Sequence, residues 1–376
     1  MDGKISKMRV TPWEVSGKID YNRLMKEFGI KKMPALPGIF NENVLFRRGI
    51  VFAHRDFERI IDAVRGRKPF VMMTGLMPSG KFHLGHMILA LQMVFYQKLG
   101  GKLYIAVADL EAYNARQKSL EELRKIAIDQ YLVNYIALGL KPENCDFYFQ
   151  SDRSKNSEKS NAYYRLASNF SRYATFNEFK AVYGEISPGK INASLLQAAD
   201  MYHPQLPEFE GKSIPTFIPV GTDQDPHIRI ARGMANRNKD HRFIPIASTY
   251  HLFFPGLKGE GKMSSSDENS FIAMTDSPQE VEQKIRKYAF SGARDTVAEH
   301  RKKGGNPDVD VSFQYLKMFF EPDDAKLKKI EEDYRSGKLL TSELKEYVIK
   351  KINAFLREHQ EKRERAKSQI DRFIYK

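Results

Sequence analysis

Apolar residues in this chain gather into short runs separated by polar stretches of helical spacing. Such runs recur at 69–74, 103–108, 147–149, 214–220, 243–247 and 271–274. Most are too continuously apolar to alternate between faces, as expected of strands covered on both sides. Between them the spacing turns helical: over 120–138, Leu123, Ile126, Ala127, Tyr131 and Tyr135 mark one face. Strands alternating with helices predict an α/β fold with a doubly wound parallel sheet, whose ligands lie beyond the carboxyl ends of the strands. After Thr275 the texture changes. "TDSPQEVEQKI" reads as a helix start, with Asp276 or Ser277 as cap and Pro278 at the first position, and helical patterns then run to the end. The last helix, from about 342, aligns Leu344, Tyr347, Val348, Ile352, Phe355 and Leu356 in one stripe. Three polar or glycine-rich stretches, beginning at Ser151, Gly256 and Arg301, read as loops.

Composition narrows the function classes. The chain has 376 residues, 41% hydrophobic, enough for two or three domains around a sizeable core. Its formal net charge of +14 suits a polyanionic partner or simply keeps the chain soluble. The single cysteine, Cys145, excludes an internal disulfide, and without a Cys/His spacing pattern no structural zinc site is expected. The first ten residues are mixed and charged, and the most apolar stretch, 87–95, is short and interrupted by Gln92. A cytoplasmic protein with no membrane role is expected.

The first candidate chemistry lies in "GLMPSGKFHLGH", from Gly75 to His86. From Gly75 it spells G-x-x-x-x-G-K, but Phe82 stands where a phosphate loop needs Ser or Thr for Mg²⁺. The stretch follows a predicted strand and opens an apolar helix, an arrangement in which backbone N–H groups and a helix start can hold a phosphate. His83 and His86, three apart around Gly85, replace the missing hydroxyl, and Gly85 leaves room for a flat ring at the backbone. The second candidate is "GKMSSS", Gly261 to Ser266, in a glycine-rich loop after the predicted fifth strand. Its Lys262 and neighbouring hydroxyls suit a negative charge that develops late. Either stretch alone is compatible with packing or an ordinary surface loop.

Together they carry a resemblance. "HLGH" and "KMSSS", in that order and about 180 residues apart, resemble the two signatures of class I aminoacyl-tRNA synthetases, and "GTDQDPH" from Gly221 resembles the G-x-D-Q segment of their tyrosyl and tryptophanyl branch. "TPWEVSGKIDYNRLMKEFG", "LFRRGIVFAHRDF" and "FSGARDTVAEHRKKGGNPDVDVSF" look like archaeal and eukaryotic tryptophanyl-tRNA synthetases, so the resemblance covers nearly the whole chain. It implies a Rossmann-type catalytic domain over 67–276 with a dimerisation insertion, a lid-like extension over 1–66, and a helical anticodon-binding domain over 277–376. It also implies ATP with Mg²⁺, L-tryptophan and tRNA(Trp) as partners, and a homodimer. His83, His86, Lys262, Ser264 and Ser265 become the catalytic candidates. Gly75, Pro78, Ser79, Gly80, Gly85, Gly221, Asp223 and Met263 join His83, His86 and Lys262 as ATP contacts. Lys81 is then a solvated neighbour, and Ser265 replaces the signature's usual second lysine.

The identity of the amino acid rests on "NASLLQAADMYH", from Asn192, which sets Gln197 and Asp200 three apart on one helix face. The resemblance makes Asp200 the acceptor at the side-chain end of the pocket, for a tyrosine hydroxyl or an indole N–H. Ala193, where tyrosyl enzymes have a tyrosine, favours the larger substrate. Met73 and Ala106 occupy the positions at which eukaryotic tryptophanyl enzymes read the indole with Tyr and Gln, so Asp200 is expected to assume that role. Gln197 and Gln224 would face the amino and carboxylate end. Glu111 matches a pocket glutamate and equally reads as a helix-capping carboxylate. Tyrosine activation, a catalytically inactive RNA-binding relative and a P-loop NTPase are the competing readings, the last supported neither by Phe82 nor by any obvious Walker B carboxylate. Lys350, Lys351 and Arg357 are candidates for tRNA phosphate contacts.

Overall fold

The structure is a computed structural model that describes residues 19–115, 118–259, 261–263 and 267–374, together with the backbone of Arg9–Val10 and Val15–Ser16. Seven strands form the central sheet: β1 (Lys31–Lys32), β2 (Val51–Arg55), β3 (Val71–Leu76), β4 (Lys102–Val107), β5 (Cys145–Phe149), β6 (Thr216–Gly221) and β7 (Ala247–His251). They lie in the order β1-β2-β7-β6-β3-β4-β5. From β7 to β5 all neighbours are parallel, whereas β1 and β2 add antiparallel at the β7 edge. The parallel strands thus follow the doubly wound order, with its switch point between β3 and β6.

Both sheet faces are covered, which is why the strands read as unbroken apolar runs. Met72, Leu103, Ile105, Val107, Phe147 and Phe149 pack on one side. Val71, Met73, Tyr104, Ala106 and Tyr148 pack on the other, against α2 (Ser157–Phe170) and α3 (Pro188–Tyr202). The two central strands part at the switch point. β3 pairs with β4 as far as Leu76, but with β6 only at Val71 and Met72. The carboxyl-terminal halves of β3 and β6 therefore diverge and open a cleft.

Several elements differ from the expectation. The strand expected at 243–247 begins only at Ala247. Pro245 interrupts the run, and Ile244 N–H is satisfied by Gln205 Oε1 at 2.8 Å rather than by a ladder. The run 271–274 is no named strand: it packs beneath the histidine turn, with Leu84 N–H donating to Ile272 O at 3.0 Å and Met274 N–H to Phe82 O at 3.0 Å. The helix at 120–138 contains a π-helical segment, Ala127–Leu132, so Leu123, Ala127, Tyr131 and Tyr135 are buried while Ile126 is only partly so.

The amino-terminal segment joins the same fold. Phe40, Leu45, Phe57 and Ile60 are fully buried in the main core beside α1 (Met87–Lys98), and β1 and β2 extend the sheet. Beyond Met274, Ser277 caps the helix Pro278–Tyr288 in a capping box with Glu280, and Pro278 takes the first position. Asp276 instead receives Ala273 N–H and the Lys284 ammonium. The long helix α4 (Thr341–Ala366) buries Leu344, Val348, Ile352 and Leu356, with Tyr347 and Phe355 partly buried, in the core that also holds Leu84 and Met87.

Candidate active site

The histidine turn is built by its own side chains. Extended backbone at His83 lets its Nδ1 accept from Gly85 N–H at 3.2 Å, while His83 N–H donates to His86 Nδ1 at 3.1 Å. The two rings stack, with centroids 3.8 Å apart. A Cβ on Gly85 would stand 3.0 Å from the His83 ring and 3.2 Å from Met263 Cβ. The flat ring that Gly85 admits in this arrangement is therefore His83's own. Burial, then the neighbouring His86 and Lys262, holds His83 well below the ordinary imidazole range, and burial with Lys262 lowers His86 to about 3. Both rings are neutral at pH 7. Because each Nδ1 accepts from a backbone N–H, the proton of each is assigned to Nε2, which leaves two neutral donors. Phe82 is buried against Tyr131 and Tyr135 and serves the core.

A cavity of about 390 Å³ opens over this turn. Gly75, Ser79, His83, Gly85, His86, Gly221, Asp223, Lys262 and Met263 line it. Pro78 and Gly80 do not: Gly80 shapes the turn, at a φ of +155° that favours glycine. Lys262 Nζ stands 2.6 Å from Asp223 Oδ2, so the two ATP candidates from distant stretches form one ion pair. A Cβ on Gly221 would lie 2.6 Å from both Asp223 Oδ1 and the Phe253 ring, so only glycine lets that carboxylate settle here. Ser264 and Ser265 lie outside the described residues. Lys81 is exposed, 3.7 Å from Glu268.

A second cavity, of about 450 Å³, sits where β3 and β6 part. It gathers all five substrate candidates: Met73, Glu111, Gln197, Asp200 and Gln224. Met73 and Ala106 share the sheet face that α3 covers, and α3 delivers Gln197 and Asp200. Asp200 is buried. Its Oδ1 accepts from the Tyr148 and Tyr163 hydroxyls at 2.7 and 2.8 Å, and its Oδ2 from Gln150 Nε2 at 2.7 Å. Burial raises this carboxyl to about 6 against the lowering effect of those donors. Glu111 lies in the first turn of Asp109–Ala115, and Asp109, not Glu111, accepts Leu110 N–H there. Gly75, Gly221, Gln224 and Lys262 line both cavities, which therefore meet at the switch point.

A family model described as tRNA synthetases class I (W and Y) matches residues 65–357. The chain belongs to this family. The tryptophan–tRNA ligase of Methanocaldococcus jannaschii is 42% identical to it, over 96% of each chain. That of Hyperthermus butylicus is 41% identical, over 97% of this chain and 98% of its own. The crystal structure of tryptophanyl-tRNA synthetase from Aeropyrum pernix K1 superimposes with a TM-score of 0.88 at 40% identity, covering 94% of this chain and 96% of that one.

In this class I synthetase the sequence signatures located the cavities but left part of their lining unnamed. Gln150 belongs to that lining, and with Tyr148 and Tyr163, which do not line the cavity, it supplies the donors to Asp200; Arg153 stacks 3.9 Å from the Tyr148 ring while pairing with Asp146 at 2.9 Å. His227 lines the second cavity and meets the Tyr183 hydroxyl at 2.8 Å, and burial lowers it to about 4. Gln150 was findable: it directly follows the carboxyl end of a parallel strand, where such sheets place ligand contacts. The tyrosines were not, because an aromatic on a strand or helix reads first as core. Lys351 proves engaged, 3.2 Å from Glu321 Oε2, whereas Lys350 and Arg357 are exposed.

Proposed function

We propose that this chain is a tryptophan–tRNA ligase, which activates L-tryptophan with ATP and transfers it to tRNA(Trp). The observation that carries the reading is the meeting of two cavities, one lined by the amino-acid candidates and the other by the signature residues, at Gly75, Gly221, Gln224 and Lys262. An amino-acid carboxylate entering from one side would there meet an α-phosphate entering from the other. It attacks that phosphorus, pyrophosphate leaves, and the terminal adenosine hydroxyl of the tRNA then takes the aminoacyl group. No covalent intermediate with the enzyme is needed, so catalysis is positioning and stabilisation of charge on phosphate oxygens.

On this reading His83 and His86 donate from Nε2 to phosphate oxygens. Being neutral, they bind the phosphates as hydrogen-bond donors and leave the charge to Lys262. ATP replaces the Lys262–Asp223 pair, freeing Asp223 for the ribose and Lys262 for the departing pyrophosphate, with Ser264 and Ser265 as its loop neighbours. Mg²⁺ would arrive on the nucleotide's phosphates and neutralise part of their charge, since no group of three metal-ligating side chains is preformed among the described residues. Gln224 and Gln197 hold the amino and carboxylate end of tryptophan, with Glu111 beside them and Met73 against the ring. Residues 277–376 are the anticodon-binding unit, and the working protein is a cytoplasmic homodimer. No helix among the described residues is long and apolar enough to cross a membrane.

ATP–pyrophosphate exchange with each amino acid separately tests the reading. Exchange is expected with L-tryptophan and at most a trace with L-tyrosine; the reverse would reassign the substrate, and no exchange with either would remove the catalytic claim.

A further inference from the structure

Among the described residues, Gln150 holds the one polar atom of the Asp200 network that is buried without a partner. The residue is 1% exposed and lines the amino-acid cavity. Its Nε2 donates to Asp200 Oδ2 at 2.7 Å. A carboxylate only accepts, so it fixes which way round the amide sits: NH₂ toward Asp200, carbonyl away from it. That carbonyl oxygen, Oε1, has no hydrogen-bond partner. Buried amide carbonyls are seldom left unmatched, and one at the wall of a binding cavity marks where a ligand donor belongs.

Asp200 itself is already engaged. Two tyrosine hydroxyls occupy Oδ1 and Gln150 donates to Oδ2, which fills three of the roughly four acceptor positions of the carboxylate, and Arg153 over the Tyr148 ring holds one of those tyrosines in place. Of the rest of the lining, Met73, Ala106 and Met201 offer no more than a weak thioether acceptor in their side chains, and Gln197 is assigned to the amino and carboxylate end. We infer that the Gln150 side-chain carbonyl accepts the hydrogen bond from the indole N–H, and that Asp200 is the positioning residue that orients Gln150. The inference rests on tryptophan being the substrate. It assigns the N–H contact to the strand end at β5 instead of to helix α3.

The test compares L-tryptophan with L-3-benzothienylalanine, in which sulfur replaces the indole N–H at nearly the same shape, in pyrophosphate exchange by the full-length protein. The wild type is expected to prefer tryptophan by roughly 10- to 100-fold in kcat/KM, the range for an analogue that leaves a buried acceptor unpaired. Gln150→Met is expected to shrink that preference to within about threefold, by losing tryptophan activity while keeping analogue activity. If the variant loses both activities equally and keeps the preference, Gln150 is not the acceptor. Should the variant fail to fold, the wild-type protein crystallised with tryptophan decides. Indole nitrogen within hydrogen-bond distance of Gln150 Oε1 supports the assignment, and indole nitrogen on Asp200 with Oε1 turned away overturns it. If the wild type does not exchange with tryptophan at all, the substrate assignment fails first, before any variant is compared.

Discussion

Asp200 shows at the scale of one residue how the pocket trades solvation for order. Three donors surround its carboxylate, yet loss of water outweighs them and raises the group from 3.8 to about 6. The folded protein therefore binds a proton that the unfolded chain has released between about pH 4 and pH 6. Stability from this group is fully present below 3.8 and is lost as pH rises through about 6, by about 3 kcal/mol in all. Asp200→Asn cannot titrate, so urea unfolding of both proteins isolates the effect. The wild type should lose about 3 kcal/mol relative to the variant between pH 4 and pH 7. A difference that stays flat would mean that the donors compensate burial completely. Such a group was only half legible in the sequence. The i, i+3 spacing of Gln197 and Asp200 put both on one helix face, but the donors that hold Asp200 come from β5 and α2, and no local pattern links those positions. The same division applies to the cavity over the histidine turn. His83, His86 and Lys262 stood out by their neighbours, whereas the Lys262–Asp223 pair needs the sheet to bring Gly221 beside the loop.

Among the elements, β2 is one that the apolar runs did not announce, and its loss should cost most. Its apolar stretch is short and runs into His54 and Arg55, so no alternation announces a strand. Its place comes from long-range partners: it pairs with β7, and Arg55 reaches Asp225, fully buried at the start of the helix Asp225–Arg237, at 2.9 Å. Four of the five parallel strands, β3 to β6, were legible because each is an apolar run flanked by helical spacing, whereas β7, with the sequence ASTYH, meets the expected run only at Ala247. An antiparallel edge strand carries no such signature. Deleting residues 1–66 would remove β1, β2 and the buried Phe40, Leu45, Phe57 and Ile60, and would bare the edge of β7. The truncated chain is expected to aggregate or to lose its cooperative thermal transition in circular dichroism. Deleting residues 1–18 keeps all seven strands and should retain a cooperative melt. A soluble, cooperatively melting protein lacking 1–66 would show that the segment is a detachable lid.

Across the whole molecule, the helical unit and the signature loop are mechanically joined. Phe290 N–H donates to Leu257 O at 2.7 Å, the Tyr315 hydroxyl reaches Pro255 O at 3.0 Å, and Gly259, at a φ of +79°, packs against Phe290. The roots of the loop that carries Lys262 are thus held by contacts with the helical unit. The +14 net charge suits a polyanionic partner, and a groove on the helical unit presents Lys350, Arg357 and Arg363 together with the carboxylates of Asp276, Glu361 and Glu364. Lys350 and Arg357 are exposed at that groove, while Lys351 is held by Glu321. Replacing Lys350 and Arg357 together by glutamate should weaken tRNA binding by roughly tenfold or more at moderate salt. It should also lower the slope of log affinity against log salt by about one for each phosphate no longer neutralised. Pyrophosphate exchange, which needs no tRNA, should stay at the wild-type rate, since neither residue lines the two joined cavities. Lys351→Glu would act differently: it puts a second carboxylate beside Glu321 and should lower the melting temperature. A double variant with an unchanged salt slope would place the tRNA on another face of the protein, and a fall in exchange would mean that the helical unit reaches the loop even without tRNA.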